Sequence, residues 1–329
     1  MVLIIVIGCV AAVLLAGARL APLYFFKFAT GRKHPMPGTG AFRMAEAAGF
    51  QSEAALQEPR LWIDTMPCEL VEIRSRDGLA LRGYYLGRTN PASAGTMILA
   101  HGYTGDAKEM SPFAQYFYEK LGYNVLMPNA RGHGNSEGKY IGFGWPERLD
   151  YLDWIDWVRI RMDAARGKTV EPVRIALFGV SMGAATVLMT GGEALPPEVK
   201  AIIEDSGYTS AEDELIYQGK AMFHLKLTKD SRLIKAINRL AKKRLGYSFK
   251  EASSLEQVKK IRVPTLFIHG EADTFVPTEM VYPLCEACAA PKELYVVPGA
   301  GHCLSCQTDP AGYEKQVSQF LEKYVQGGC

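Results

Sequence analysis

A serine hydroxyl becomes a nucleophile when an imidazole takes its proton and a carboxylate holds that imidazole in the correct tautomer. Ser181, Asp273 and His302 supply those three types, in that order, along a chain of 329 residues. Ser181 lies in Gly179-Val180-Ser181-Met182-Gly183, between a short β-branched run (173–178) and an apolar, helix-like run (184–189). G-x-S-x-G at such a junction predicts a sharp strand-to-helix turn. The turn lifts the serine above a sheet, over the N–H groups of the next helix, where negative charge is favoured. Asp273 follows the strand-like run 264–269 in a turn, and His302 ends a glycine-rich loop after the run 293–297. His34 follows an apolar leader and His224 falls in a mid-chain insert, while His101, His133 and His269 sit in loop signatures of their own. Only His302 combines the order and the loop.

The elements that must position these residues are legible as well. Residues 69–74 and 79–85 alternate at period two around Asp77-Gly78, which predicts an antiparallel hairpin. Apolar strands then alternate with helical stretches, such as 123–128 followed by 149–164. That alternation predicts an α/β fold with a largely parallel sheet and helices on both faces. Ligands of such sheets bind at the carboxyl ends of the strands, where all three residues fall.

Two further motifs complete a set of five: His101-Gly102-Tyr103-Thr104-Gly105 after the strand 96–100, and Asn129-Ala130-Arg131-Gly132-His133-Gly134-Asn135-Ser136. With the serine elbow, the 270–277 acid loop and Gly301-His302, the chain resembles the α/β-hydrolase superfamily over roughly residues 69–325. It looks most like bacterial membrane-anchored hydrolases related to the serine aminopeptidase (S33-like) group. The resemblance implies a mostly parallel central sheet flanked by helices, with a small helical cap. It also implies an oxyanion hole made by the backbone N–H groups of Tyr103 and Met182. Two such donors, aimed at a tetrahedral oxyanion, are worth about 3 kcal/mol each. Asp205, at the end of another strand-like run, is a rival for the acid. Asp273 is preferred because its loop matches the family pattern, and Asp205 can cap the turn Ser206-Gly207-Tyr208. His101 is expected to brace the oxyanion loop, and Arg131 with His133 to knit a surface loop.

The expected organisation is an N-terminal transmembrane anchor at 1–26, a connector at 27–68, and a hydrolase domain at 69–329 with its cap at about 207–260. Residues 1–18 carry no charge, and another apolar run, 20–26, follows Arg19. About 20 apolar residues span a bilayer. No basic segment precedes the run, as a secretory signal would require. Arg19, Lys27, Arg32 and Lys33 all lie downstream, which places the hydrolase on the cytoplasmic side of the cell membrane. Export after cleavage near Ala16-Gly17-Ala18 is the alternative.

A net charge of +2 and scattered aromatics give no case for nucleic acid. Cys285-x-x-Cys288 and Cys303-x-x-Cys306, 14 residues apart, approach a zinc-ribbon spacing. A metal there would compete for the imidazole of His302, so reduced thiols are expected, with no metal and no cofactor. Cys303, beside His302, raises an expectation of oxidative sensitivity. In the cap, residues 232–244 carry Leu233, Ile237 and Leu240 at helical spacing beneath a dense basic face. Packing on the body is favoured over lying on an anionic membrane. Trp145, Tyr217, Met222 and Phe223 are candidates to line a pocket. The expected activity is hydrolysis of a small-molecule carboxylic ester through an acyl-enzyme. No acidic cluster to bind a substrate amine is recognisable, so peptidase or amidase activity is the alternative. A non-catalytic ligand-binding protein on the same scaffold is the reading from another class.

Overall fold

The computed structural model describes residues 20–32, 62–91, 93–166 and 172–326. Eight strands form one sheet: β1 (Glu69–Arg74), β2 (Ala80–Leu86), β3 (Thr96–Ala100), β4 (Asn124–Pro128), β5 (Ile175–Val180), β6 (Val199–Asp205), β7 (Thr265–Gly270) and β8 (Lys292–Val297). Their order is β1-β2-β4-β3-β5-β6-β7-β8. The first two strands pair antiparallel as the expected hairpin, β2 pairs antiparallel with β4, and every other pairing is parallel.

The helices relevant to the site are α1 (20–30), α2 (Glu147–Arg166), α3 (Met182–Gly191), α4 (Ala211–Phe223), α5 (Arg232–Leu245), α6 (Ser254–Val258), α7 (Val281–Ala287) and α8 (Pro310–Leu321). Central strands are buried on both faces, which is why they read as continuous apolar runs. Alternate residues go to opposite sides. Ile175 and Leu177 of β5 pack with Trp154, Val158 and Leu188 of α2 and α3. Ala176, Phe178 and Val180 pack with Phe117 and with Tyr313, Val317 and Phe320 of α8. Beyond the acid loop a 3₁₀ turn (Thr278–Met280) continues as α7. It ends at Ala287, shortly before Pro291.

The expected anchor is described only from Leu20 onward; residues 1–19, like residues 33–61 of the connector, lie outside the described residues. Among the described residues no helix is long and apolar enough to cross a membrane. Helix α1 lies on the hydrolase body: Phe26 is fully buried in a cluster with Ile141, Met182 and Phe249, and Ala29 and Thr30 are buried as well. The following Gly31 forms a β-bridge with Tyr140. Between β6 and β7, α4 and α5 make the cap. Ile234, Ile237 and Ala241 of α5 are buried, whereas Leu233 and Leu240, which the helical spacing places with Ile237, are only partly buried: the inward face is turned by about one residue from the expected one. Helix α6 packs lower down, through Val258, with the core under the sheet.

Candidate active site

Ser181 stands between β5 and α3 with φ 56° and ψ −117°. A side chain at such a φ is strained, and the strain is of order 1–3 kcal/mol held by surrounding structure. The two glycines of the elbow are sterically required. A Cβ on Gly179 would stand 2.2 Å from the Gly183 carbonyl oxygen, and one on Gly183 would stand 2.0 Å from the Ala100 carbonyl oxygen. The chain therefore turns tightly against β3. The Ser181 amide donates to the Asp205 carbonyl at 2.8 Å, and the Ser181 carbonyl accepts from Ala185 at 3.0 Å. Met182 opens α3, so its amide belongs to the first turn, where helical N–H groups have no partner within the helix.

His302 joins the other two residues across the sheet. Its Nδ1 is 2.7 Å from Asp273 Oδ2, and its Nε2 is 2.9 Å from Ser181 Oγ. With the Nδ1 proton directed at the carboxylate, Nε2 accepts from the hydroxyl. All three side chains are buried. The ring of Phe275 covers His302 at 4.9 Å between centroids.

Asp273 is held from four sides. Its Oδ1 accepts from the amides of Phe275 and Val276, both at 2.9 Å. Its Oδ2 faces two histidines, His302 and, at 3.3 Å, His269 Nε2, which also donates to the Val276 carbonyl at 2.9 Å. Burial pushes the Asp273 carboxyl up, but the two imidazoles outweigh it and hold the group at about 2. Asp273 is thus a carboxylate at any working pH. His269 is buried, which depresses its pKa, yet Asp273 and Glu204 outweigh that and raise it. From sequence His269 reads only as part of a loop signature of its own. The signal that could have found it is its place four residues before the acid, across the turn of 270–273.

Asp205, the rival acid, is committed elsewhere. Its Oδ1 accepts from the hydroxyls of Ser206 (2.9 Å) and Ser305 (3.3 Å), and its Oδ2 from Tyr313 (3.0 Å). Ser305 follows His302 by three residues, so Asp205 pins the histidine loop.

The Tyr103 loop lies beside the serine. A Cβ on Gly102 would be 3.7 Å from Ser181 Cβ. His101 braces this loop as expected: Nδ1 donates to the Gly102 carbonyl at 2.8 Å and Nε2 accepts from Ala130 N at 3.0 Å. Burial lowers its pKa, so the ring stays neutral. Arg131 knits its loop to Asp150 (2.7 and 2.6 Å) and Asp77 (2.8 and 3.1 Å). Thr104, Phe143, Ser206 and Cys303 share the positive φ of Ser181, so strained backbone gathers in the loops at this end of the sheet.

Met182, Tyr103, Phe143, Trp145, Tyr208, Phe249 and Phe275 belong to one apolar cluster adjoining the serine. Of the other pocket candidates, Tyr217 donates to the Thr274 carbonyl at 2.8 Å, beside the acid, while Phe223 packs on Phe25 and Phe28 of α1. Met222 is half-buried at the end of α4.

The two C-x-x-C pairs do not meet. Cys285 and Cys288 pack under one face of the sheet, Cys303 and Cys306 against the other. All four are free thiols, and among the described residues no group of three His, Cys, Asp or Glu could hold a metal. Burial, then Asp205 and Asp273, push the Cys303 thiol well up, which disfavours the reactive thiolate.

The family model for X-Pro dipeptidyl-peptidases (S15 family) matches residues 83–247, half of the chain. The Bacillus subtilis protein YqkD is 29% identical over 250 residues, spanning 76% of this chain and 78% of that one. Protein bem46 of Schizosaccharomyces pombe is 26% identical over 259 residues, 78% of this chain and 77% of its own. Among solved structures, the Pyrococcus furiosus esterase Pf2001 superposes with a TM-score of 0.59 at 26% identity, covering 84% of this chain and 97% of that one. The motif resemblance reached this superfamily through the serine aminopeptidase group, whereas the matching family model is that of another peptidase branch. The chain belongs to the S15 family of the α/β-hydrolase superfamily.

Proposed function

We propose that this hydrolase cleaves small carboxylic esters, with Ser181 as nucleophile, His302 as general acid and base, and Asp273 as its orienting carboxylate. The observation that carries the reading is His302 bridging Asp273 Oδ2 and Ser181 Oγ at 2.7 and 2.9 Å. Ser181 Oγ attacks the ester carbonyl as His302 Nε2 takes its proton, and Asp273 stabilises the imidazolium. The tetrahedral oxyanion is received by the N–H groups of Tyr103 and Met182. His302 then protonates the departing alcohol, and water repeats the sequence on the acyl-enzyme.

Two observations favour an ester. The walls beside the serine are aromatic and apolar, which suits an acyl or aryl group. The esterase Pf2001 shares the architecture at 26% identity. The S15 match favours a second reading, release of short peptides. Membrane attachment with the hydrolase on the cytoplasmic side forms part of the proposal, supported by the uncharged run 1–18 and the basic residues after it.

The test is labelling by a fluorophosphonate probe and turnover of p-nitrophenyl esters from acetyl to palmitoyl, each with Ser181→Ala as control. Ester turnover that disappears in Ser181→Ala is expected. Turnover of dipeptidyl p-nitroanilides alone would favour the peptidase. Neither turnover nor labelling would leave a ligand-binding protein.

A further inference from the structure

We infer that the outer face of cap helix α5, together with the aromatic end of α1, docks on the surface of an anionic lipid bilayer. The inference stands apart from the chemistry at Ser181. Between residues 220 and 244 the chain has nine basic residues and a single acid, Asp230, in a protein whose net charge is +2. On α5 the basic residues are sorted by face. At 3.6 residues per turn, Arg232, Lys235, Arg239, Lys242 and Lys243 fall within an arc of about 100°, and all five are exposed. Ile234, Ile237 and Ala241, on the opposite side, are buried in the cap.

Folding does not explain that face. Like charges three and four residues apart on a helix repel one another. Lys235 pairs with Asp230 and Lys242 with Glu251, both exposed, while Arg232, Arg239 and Lys243 have no ion pair with the described residues. The surplus charge is therefore turned outward.

What selects a bilayer over a soluble polyanion is the neighbouring apolar surface. Arg244, outside that arc, caps the buried Phe26 ring at 5.6 Å and so sets α1 beside the C-terminal end of α5, and Phe223, at the end of α4, packs edge-on against the half-buried Phe25 and Phe28 of α1. Tyr24 stacks on Phe28, and both Leu20 and Tyr24 are more than half exposed. Residues 1–18, which lead into this helix, carry no charge. Aromatic and aliphatic side chains beside a basic face make an interfacial surface. Each basic residue near an anionic leaflet strengthens attraction about five-fold, within a Debye length of about 8 Å at physiological salt.

The test uses the full chain in vesicles of phosphatidylcholine, with or without phosphatidylglycerol. Amine acylation of Lys235, Lys242 and Lys243 is read by mass spectrometry, with Lys259 and Lys323 as references. Docking predicts protection of the three cap lysines only in the anionic vesicles, fading at high salt, with the references unchanged. In Arg232→Gln/Arg239→Gln/Lys243→Gln the attraction is expected to fall on the order of 100-fold. Protection of Lys235 and Lys242 is then lost, while turnover of a short soluble ester is unchanged. Equal reactivity in both vesicles overturns the inference. So does equal protection by soluble polyphosphate, which would mark a general anion surface. Since protection is read without turnover, an inactive enzyme would leave this outcome standing and overturn only the ester reading.

Discussion

The hydroxyl of Tyr103 donates to the carbonyl of Ala29 at 2.7 Å. The loop whose backbone is proposed to bind the oxyanion is thereby tied to the last turn of α1, the continuation of the apolar leader. The same turn is sewn to the 131–145 loop, since Thr30 accepts from the Ile141 amide at 2.9 Å and Arg32 donates to Gly134 and Gly138. Helix α1 is thus part of the scaffold around the serine, although it precedes the recognisable domain by some forty residues.

Tyr103→Phe removes one buried hydrogen bond, worth about 1 kcal/mol. It is expected to lower kcat three- to ten-fold (about 1 kcal/mol) while fluorophosphonate labelling persists. Phe26→Ala deletes a fully buried ring and is expected to cost about 3 kcal/mol. Denaturant melts and steady-state kinetics on the two variants check both statements. Unchanged stability in Phe26→Ala would mean that α1 does not belong to the folded unit.

Asp273→Asn and Asp205→Asn separate the two candidate acids. The first leaves His302 with the wrong partner for its tautomer, and kcat is expected to fall about 10⁴-fold with the fold intact. Asp205→Asn weakens acceptance from Ser206, Ser305 and Tyr313, so about 2 kcal/mol of stability is expected to go, with kcat reduced about ten-fold. Paired melting curves and kcat values decide, and a reversed ranking would move the catalytic acid to Asp205.

His269 reaches the serine only through Asp273, which it shares with His302, and this makes it a positioning residue. His269→Gln is expected to lower kcat about ten-fold, ~1.4 kcal/mol, while KM stays within about two-fold. His302→Ala should instead abolish turnover. A KM effect in His269→Gln with kcat intact would remove it from that role.

Three carboxyls give the protein a stability that falls with pH. Burial pushes Glu204 and Glu214 to about 8 and Glu147 to about 7, from an ordinary 4.5. The folded chain therefore keeps protons that the unfolded chain releases. Their contribution is full below pH 4.5 and declines as pH rises through 7 and 8. The Tm is expected to drop by about 5 °C, ~2 kcal/mol, between mildly acidic and mildly alkaline buffer, and Glu204→Gln should flatten that slope. A Tm that rises over this range would contradict the assignment.

Much of the site was written locally. G-x-S-x-G between a strand and a helix dictates its own turn, because only glycine fits where Gly179 and Gly183 meet backbone. Asp273 and His302 follow from chain order, since each lies just beyond a strand that reads as an apolar run. Period two was enough to place the hairpin, and helical spacing to mark Ile237 of α5 as inward, while Ile234 and Ala241 rather than Leu233 and Leu240 are buried with it. What the sequence could not settle depends on residues far apart in the chain. Asp205 and Asp273 are both acids beyond strands, and only the packing of Ser305 and Tyr313 against one and of His302 against the other distinguishes them. His269 reads as the end of a strand until the turn folds it back onto the acid. The cysteine pairs mimic a metal site in spacing, but the sheet lies between them. Helix α1 reads as the tail of an apolar leader, and its union with Tyr103 exists only once the two are brought together. Spacing along a chain encodes turns and faces; which distant groups share a hydrogen bond is decided when the layers close.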